Sequence, residues 1–368
     1  MRFVFKTSYD ADIRMFRHGA QAFWYVLLLA AVVALPFWLS SIGNTYLLGE
    51  LTSVLVFAIA GMGLMLLTGQ TGLASLGHAA FMAIGCYANV IMLERGVPWV
   101  VSFPLSGLLA GIIGTIVALP VLRLHGVYLA LATLALAIIT GDIIVLLEPI
   151  TGGVAGIAVP DIDLFGYSIG KYANPVAFYF VVLTVAVIVV LAYRNILRSP
   201  TGRAFAAVRD SEISAQAMGV NLTRTKSTAF FLSCVAAGWA GALFGHNATY
   251  ITHETFDLVM SITLLLMIVI GGLGFIHGAF LGAIVVGLLP VTIANIRSWL
   301  QTTFDVSGTI PGLETALFAA ILIGFILFEP MGLYGRWLKV RTYFELFPFY
   351  RRDMFRRQKS YLKTERVQ

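Results

Sequence analysis

Charge is scarce in this sequence. Of 368 residues, 11% are Asp, Glu, Lys or Arg and 59% are hydrophobic. Soluble domains carry about 25% charged residues. A water-soluble globule of this composition could not cover its surface, so that class is excluded. Cysteine is nearly absent: Cys86 and Cys234 both lie in apolar stretches and read as packing residues, not a disulfide or metal pair. No G-x-x-x-x-G-K-[ST] occurs, so the chain cannot cradle nucleotide phosphates in a P-loop. Neither H-E-x-x-H nor C-x-x-C occurs, and the six histidines are scattered. No polar cluster shares one depth, which speaks against a membrane-embedded enzyme; no cofactor and no metal are expected. Charge within the apolar runs is also sparse. Glu50, Asp142 and Glu314 sit near run ends. That scarcity weighs against an ion-coupled carrier, although sodium can be held by carbonyls alone.

What the chain does have is a succession of continuous apolar runs of about 20 residues, the length that spans a hydrocarbon core as a helix. A transmembrane barrel would alternate over segments of about 10 residues instead. The expected fold is therefore an all-α polytopic membrane protein of about ten transmembrane helices. The expected limits are 22–40, 47–68, 72–93, 99–121, 126–147, 174–193, 227–248, 257–275, 277–296 and 312–330. Residues 1–21 form an N-terminal segment, 22–334 the transmembrane domain with a polar loop at 194–226, and 335–368 a basic tail. No cleavable signal is read at the N-terminus, since four basic residues precede a long first span.

The net charge of +6 is no sign of a nucleic-acid partner, because the basic residues sit where the positive-inside rule wants them. The N-terminal segment, the turn with Arg123 and His125, the loop from Arg194 to Lys226 and the tail are expected in the cytoplasm. The loop from Glu148 to Asn174 carries Glu148, Asp161 and Asp163 against Lys171, and is expected outside. The tail, with Arg351, Arg352, Arg356, Arg357 and Lys359, reads either as an anchor on membrane lipid or as a docking segment.

Two glycine-rich segments interrupt or bound the spans, and a third lies in the outer loop. Gly69 to Gly85 carries Gly72, Ser75, Gly77 and His78; a second holds Gly271, Gly272 and Gly274; a third is Thr151 to Gly156. Such segments either break a helix along a solute path or let helices pack closely. His78 and His277 each open an expected helix, as packing residues or as functional ones. The most informative polar stretch runs from Ser199 to Gly219. Ser199 can cap a helix, Pro200 suits its first turn and Gly219 can end it in the left-handed region. Between them lie an apolar set, Phe205, Val208, Ile213 and Ala217, and the charges Arg203, Arg209, Asp210 and Glu212. A helix resting on headgroups would favour basic residues and a wider apolar face. Mixed charge and short apolar side chains fit a socket in a protein better.

These residues carry a family resemblance. Ser199-Pro-x-Gly-Arg-Ala, Ala207-Val-Arg-Asp and Ala215-x-Ala-x-Gly219 resemble the cytoplasmic loop of the branched-chain amino-acid permeases of ABC importers, the LivM type. Gly72-Leu-x-Ser-Leu-Gly-His-Ala-Ala-Phe81, Gly126 to Leu134, Ala237-Gly-x-Ala-Gly-Ala242 and Gly271-Gly-x-Gly274 are similar as well. The likeness covers roughly residues 45–330. It implies a subunit that is not itself an enzyme, working with two ABC ATPase subunits, a second related permease and a periplasmic binding protein in the bacterial inner membrane. The helix at 200–219 would be the coupling helix, with Arg203, Arg209, Asp210, Glu212 and Gly219 at the ATPase. Gly72, Ser75, Gly77, His78, Gly271, Gly272 and Gly274 would belong to the translocation path. Branched-chain or related amino acids are the expected solutes, with urea, amides or small carboxylates as alternatives within the family. A self-sufficient carrier or channel is the rival outside it.

Overall fold

The computed structural model describes residues 19–43, 45–122, 126–164, 166–304, 316, 319–320, 323–324, 327 and 331–346. The turn at Arg123 and His125, Glu314, most of the expected tenth span and the tail beyond residue 346 lie outside the described residues. The chain runs α1 (Gly19–Ser41), α2 (Thr45–Leu64) with a π-helical turn (Met65–Gln70), α3 (His78–Glu94), α4 (Trp99–Val121), α5 (Val127–Leu146) and α6 (Glu148–Thr151). Strands β1 (Ile157–Ala158), β2 (Ile162–Leu164) and β3 (Tyr167–Ile169) follow, then α7 (Pro175–Arg198), α8 (Pro200–Asp210), α9 (Glu212–Ala217) and α10 (Leu222–Ala248). The described part closes with β4 (Tyr250–Ile251), a 3₁₀ turn (His253–Phe256), α11 (Leu258–Gly271), α12 (Ile276–Phe304) and α13 (Gly332–Leu346).

Among the described residues, eight helices are long and apolar enough to cross a membrane: α1, α2, α4, α5, α7, α10, α11 and α12. The protein is a multi-pass membrane protein. The expected span at 72–93 is shorter than the sequence implies, because helix α3 begins only at His78. The two ends of the bundle differ. One carries the Arg-rich loop with α8 and α9 and is called the basic end below. The other carries the small strands: β1 pairs with β4 and β2 with β3, both antiparallel.

Helices α2 and α10 form the centre. In each, 72% of the apolar window is buried, against at most 44% in any other span. Their composition allows it. Helix α10 presents small residues, and at its crossing with α3 a Cβ on Gly85 would collide with the backbone of Gly238. In lipid, association rests on such close packing because hydrocarbon gives helices no reason to hide apolar surface from it. Cys234 and Cys86 are buried and free. A small second cluster of Leu39, Leu48, Tyr179 and Leu183 holds α1 against α2 and α7. Within it the Tyr179 hydroxyl donates to the Val32 carbonyl at 3.1 Å.

Substituting Gly85 by Val should push α3 off α10 and destabilise the fold by about 1–3 kcal/mol, the usual cost of overpacking. Thermal unfolding of the purified protein in detergent checks this.

Candidate functional site

The central polar loop is two helices rather than one. Ser199 caps α8, accepting from Gly202 N at 3.4 Å. The helix ends at Ser211, which is extended (φ −164, ψ 116) and caps α9 by accepting from Ser214 N at 3.2 Å. The single helix expected over 200–219 is thus broken, because a serine at 211 can serve as a new N-cap. Gly219 ends α9 with φ +84, as expected. The expected apolar set divides in the same way. Phe205 and Val208 on α8 are buried, while Ile213 and Ala217 on α9 are exposed.

The charges divide too. Glu212 points back into the protein, where its Oε2 accepts from Lys226 Nζ on α10 at 2.7 Å; the Lys226 side chain is 4% exposed. Arg209 also turns inward. Its Nη1 donates to the Gly69 carbonyl at 3.1 Å, and Nε and Nη2 reach Asp210 Oδ1 at 3.3 Å. Arg203 and Asp210 lie on the exposed side of α8. Ile213 and Met218, at 84% and 85%, are the most exposed large hydrophobic side chains among the described residues. They stand on a polar loop and not on a membrane span.

Arg209 reaches a junction of two glycine motifs. Gly69 closes the π turn that ends α2, and its Cβ position would lie 2.7 Å from Gly274 N. Gln70 Nε2 donates to the Gly274 carbonyl at 2.8 Å, and Gly274 N approaches Met65 Sδ at 3.0 Å. Gly72, at φ +73, packs against Arg209 Cγ, at 3.4 Å from the place a Cβ would occupy. Gly271 and Gly272 form the turn between α11 and α12, with Gly272 at φ +116. The end of α2, the α11–α12 turn and α8 therefore meet at the basic end.

From there residues 72–77 run without helix into the bundle. His78 reaches Ser233 of α10 at 3.4 Å, eleven residues or about 16 Å along α10 from its start. Side chains stand in for the helical bonds this segment lacks. Leu76 N donates to Thr133 Oγ1 at 3.0 Å, and Ala79 N donates to Ser261 Oγ at 3.1 Å. Gly77 lies so close to the Thr133 carbonyl that a Cβ would overlap it. The Ser233 hydroxyl gives its proton to the Gly63 carbonyl at 2.7 Å. His78 Nε2 must therefore be the donor to Ser233 Oγ, which leaves Nδ1 as a bare acceptor. His78 Nδ1 and Ser75 Oγ are buried without a hydrogen-bond partner. His277, the other helix-opening histidine, instead faces the Tyr25 hydroxyl at 2.8 Å.

The profile of a family described as "Branched-chain amino acid transport system / permease component" matches residues 46–328, well over half of the chain. The chain belongs to this family. This chain is 32% identical over 286 residues to the high-affinity branched-chain amino acid transport system permease protein LivM of Escherichia coli (strain K12). That match covers 72% of this chain and 66% of LivM, so the chain spans just under two thirds of that relative's length. The probable branched-chain amino acid transport permease protein LivM of Methanocaldococcus jannaschii is 28% identical over 297 residues, 77% of this chain and 84% of its own. The probable LivH permease of the same organism is 26% identical over 304 residues, 79% and 91% of the two chains. No solved structure matches.

The contacts made by Lys226, Gln70, Thr133, Ser233 and Ser261 could not be read from the sequence, although the first four lie in segments it marks. Each acts through a partner far away in the chain, and nothing local marks the pairing. Near the strand end a further set joins three helices to a loop. Ser102 Oγ donates to Asn89 Oδ1 at 2.9 Å, and Asn89 Nδ2 meets His246 Nε2 at 3.0 Å. His246 Nδ1 lies 3.1 Å from the Pro160 carbonyl. A carbonyl only accepts, so Nδ1 carries the proton, and the Asn89 amide nitrogen only donates, so Nε2 accepts.

Removing the carboxylate in Glu212→Gln should leave Lys226 buried without its counter-charge. Hydrogen bonds to charged groups are worth about 1.5–3 kcal/mol, which sets the expected loss of stability. The double variant Glu212→Gln with Lys226→Met should recover most of it, as thermal unfolding of the three variants will read.

Proposed function

We propose that this permease is the membrane-spanning subunit of an ATP-driven importer, moving branched-chain or related amino acids delivered by a periplasmic binding protein. Two ABC ATPase subunits and a second related permease complete the assembly. The basic end then faces the cytoplasm of a bacterial inner membrane, with both termini on that side, as the excess of Arg and Lys in the 194–226 loop asks. The observation that carries the reading is the pair Ile213 and Met218, apolar and exposed on a charged loop. Isolated in water such side chains gain nothing, and bound in a protein pocket they become anchors.

The mechanism follows from the junction. An ATPase that grips α9 and the outer side of α8, through Ile213, Met218, Arg203 and Asp210, moves α8 as a body. Arg209 hands that movement to the Gly69 carbonyl, and Gln70 hands it on to Gly274. The ends of α2 and α11 and the start of α12 therefore shift together. The unwound segment 72–77 hangs from the same point, so Ser75 and His78 move with it. Their buried, unpartnered polar atoms mark a path that is shut in this conformation. In this reading Gly72, Gly271, Gly272 and Gly274 serve the joint, and Ser75, Gly77 and His78 serve the path.

Three experiments test the reading. Ile213→Asp with Met218→Asp should abolish co-purification with the ATPase subunits while the protein still inserts and melts normally. An interface anchor of ~2 kcal/mol corresponds to about 30-fold in affinity. If the purified permease alone, in vesicles without nucleotide, concentrates a solute against its gradient, it is a self-sufficient carrier and the proposal is wrong. Arg209→Ala should keep the ATPases bound and hydrolysing but lower the solute moved per ATP, measured in proteoliposomes. Unchanged stoichiometry would remove Arg209 from the transmission path.

A further inference from the structure

Helix α13 has two unlike faces. On one, Gly332 (φ +69) lies so close to Gly272 that a Cβ would sit 2.5 Å from its Cα. On the same side the Tyr334 ring stacks flat on His277, with centroids 5.0 Å apart and planes 3° apart. His277 in turn faces the Tyr25 hydroxyl of α1. These contacts hold α13 at the level where α12 enters the bundle, against the turn that carries Gly272 and Gly274. The other face is exposed and mixes two kinds of side chain. Trp337, Val340 and Tyr343 are 58%, 43% and 42% exposed. Arg336, Lys339 and Arg341, also exposed, are interleaved with them.

We propose that this outer face of α13 docks on anionic lipid headgroups at the basic end of the bundle. Three observations choose lipid over a protein partner. The helix is fixed at the mouth of the membrane spans, within reach of the headgroup layer. Its exposed side pairs an indole and a phenol with long cationic stems, side chains that set an apolar body in the interface and a polar tip in water. The charge continues along the chain: residues 332–359 hold eight Lys and Arg against Glu345 and Asp353. A basic run beside a span attracts the anionic leaflet over about a Debye length. The inner face of α13 carries the consequence, because Gly332 and Tyr334 brace the Gly271–Gly274 turn. Lipid charge thereby bears on the joint that α8 drives. Lipid docking itself does not depend on the importer reading; only that last consequence does.

The test uses the full-length chain with Val340→Cys carrying an environment-sensitive fluorophore; Cys86 and Cys234 are buried and escape labelling. The protein is reconstituted in phosphatidylcholine vesicles with and without phosphatidylglycerol. The expected result is a blue shift, with quenching by spin-labelled lipid, that needs phosphatidylglycerol and is lost at high salt, where screening shortens to about 3 Å at 1 M. The triple variant R336Q/K339Q/R341Q should lose the phosphatidylglycerol response. Since the lipid and salt comparisons use the unaltered cations, they stand even if the triple variant shifts the helix. Equal emission in both vesicle types overturns the proposal. So does a shift that appears only after ATPase subunits are added, which would make the face a protein contact. Neither outcome bears on whether the chain imports amino acids, which uptake reads separately.

Discussion

A backbone carbonyl left free at the end of a membrane helix has to be given a donor, because hydrocarbon offers none. At Gly69 that donor is Arg209, which reaches from the polar loop. The contacts at the basic end gather around this bond. Gly72 packs against the Arg209 stem, and Gly274 of the α11–α12 turn lies beside the same guanidinium. A cation at the C-terminal end of a helix is also favoured by the helix dipole. The loop is therefore built into the bundle on one side and exposed on the other.

The same constraint explains the unwound segment. Residues 72–77 give up helical bonds inside the protein, and Thr133 and Ser261 restore two of the missing acceptors. Such irregular backbone is tolerated at depth where protein surrounds it or where a cavity runs. Here the first condition is visible in the contact of Gly77 with Thr133. The bare Nδ1 of His78 and the unpartnered hydroxyl of Ser75 are what the second would use. The segment packs closely at Gly77 and runs without helix over 72–77, and its place on a solute path belongs to the proposal.

Membership of the permease family fits a chain with no P-loop and with one exposed apolar pair on its longest polar loop. Glu212 and Arg209, on the same loop, each make an internal contact while part of the side chain stays exposed. In the proposed assembly the partner meets the loop through Ile213, Met218 and the outer charges of α8. This division of labour matters for interpreting variants. Changes at Glu212 or Arg209 disturb the loop or its linkage, while changes at Ile213 or Met218 disturb only what the loop presents.

Lipid solubility is a local property, so composition and run length placed eight of the ten expected spans, while the third proved shorter and most of the tenth lies outside the described residues. The limits expected for α4 and α5 fall within a residue of Trp99–Val121 and Val127–Leu146. Motif order was enough to place the chain in its family. The break at Ser211 was within reach of the sequence, since serine caps helices, but nothing local says whether a serine does so inside a polar run. The pairing of β1 with β4, the π turn, the burial of Lys226 on Glu212 and the meeting of Gly69 with Gly274 were beyond reach. Apart from the π turn, they join residues from 14 to more than 200 positions apart. Where the chain enters lipid is decided residue by residue by transfer from water. Which polar groups find each other once inside is decided by how the helices cross, and that exists only in the folded bundle.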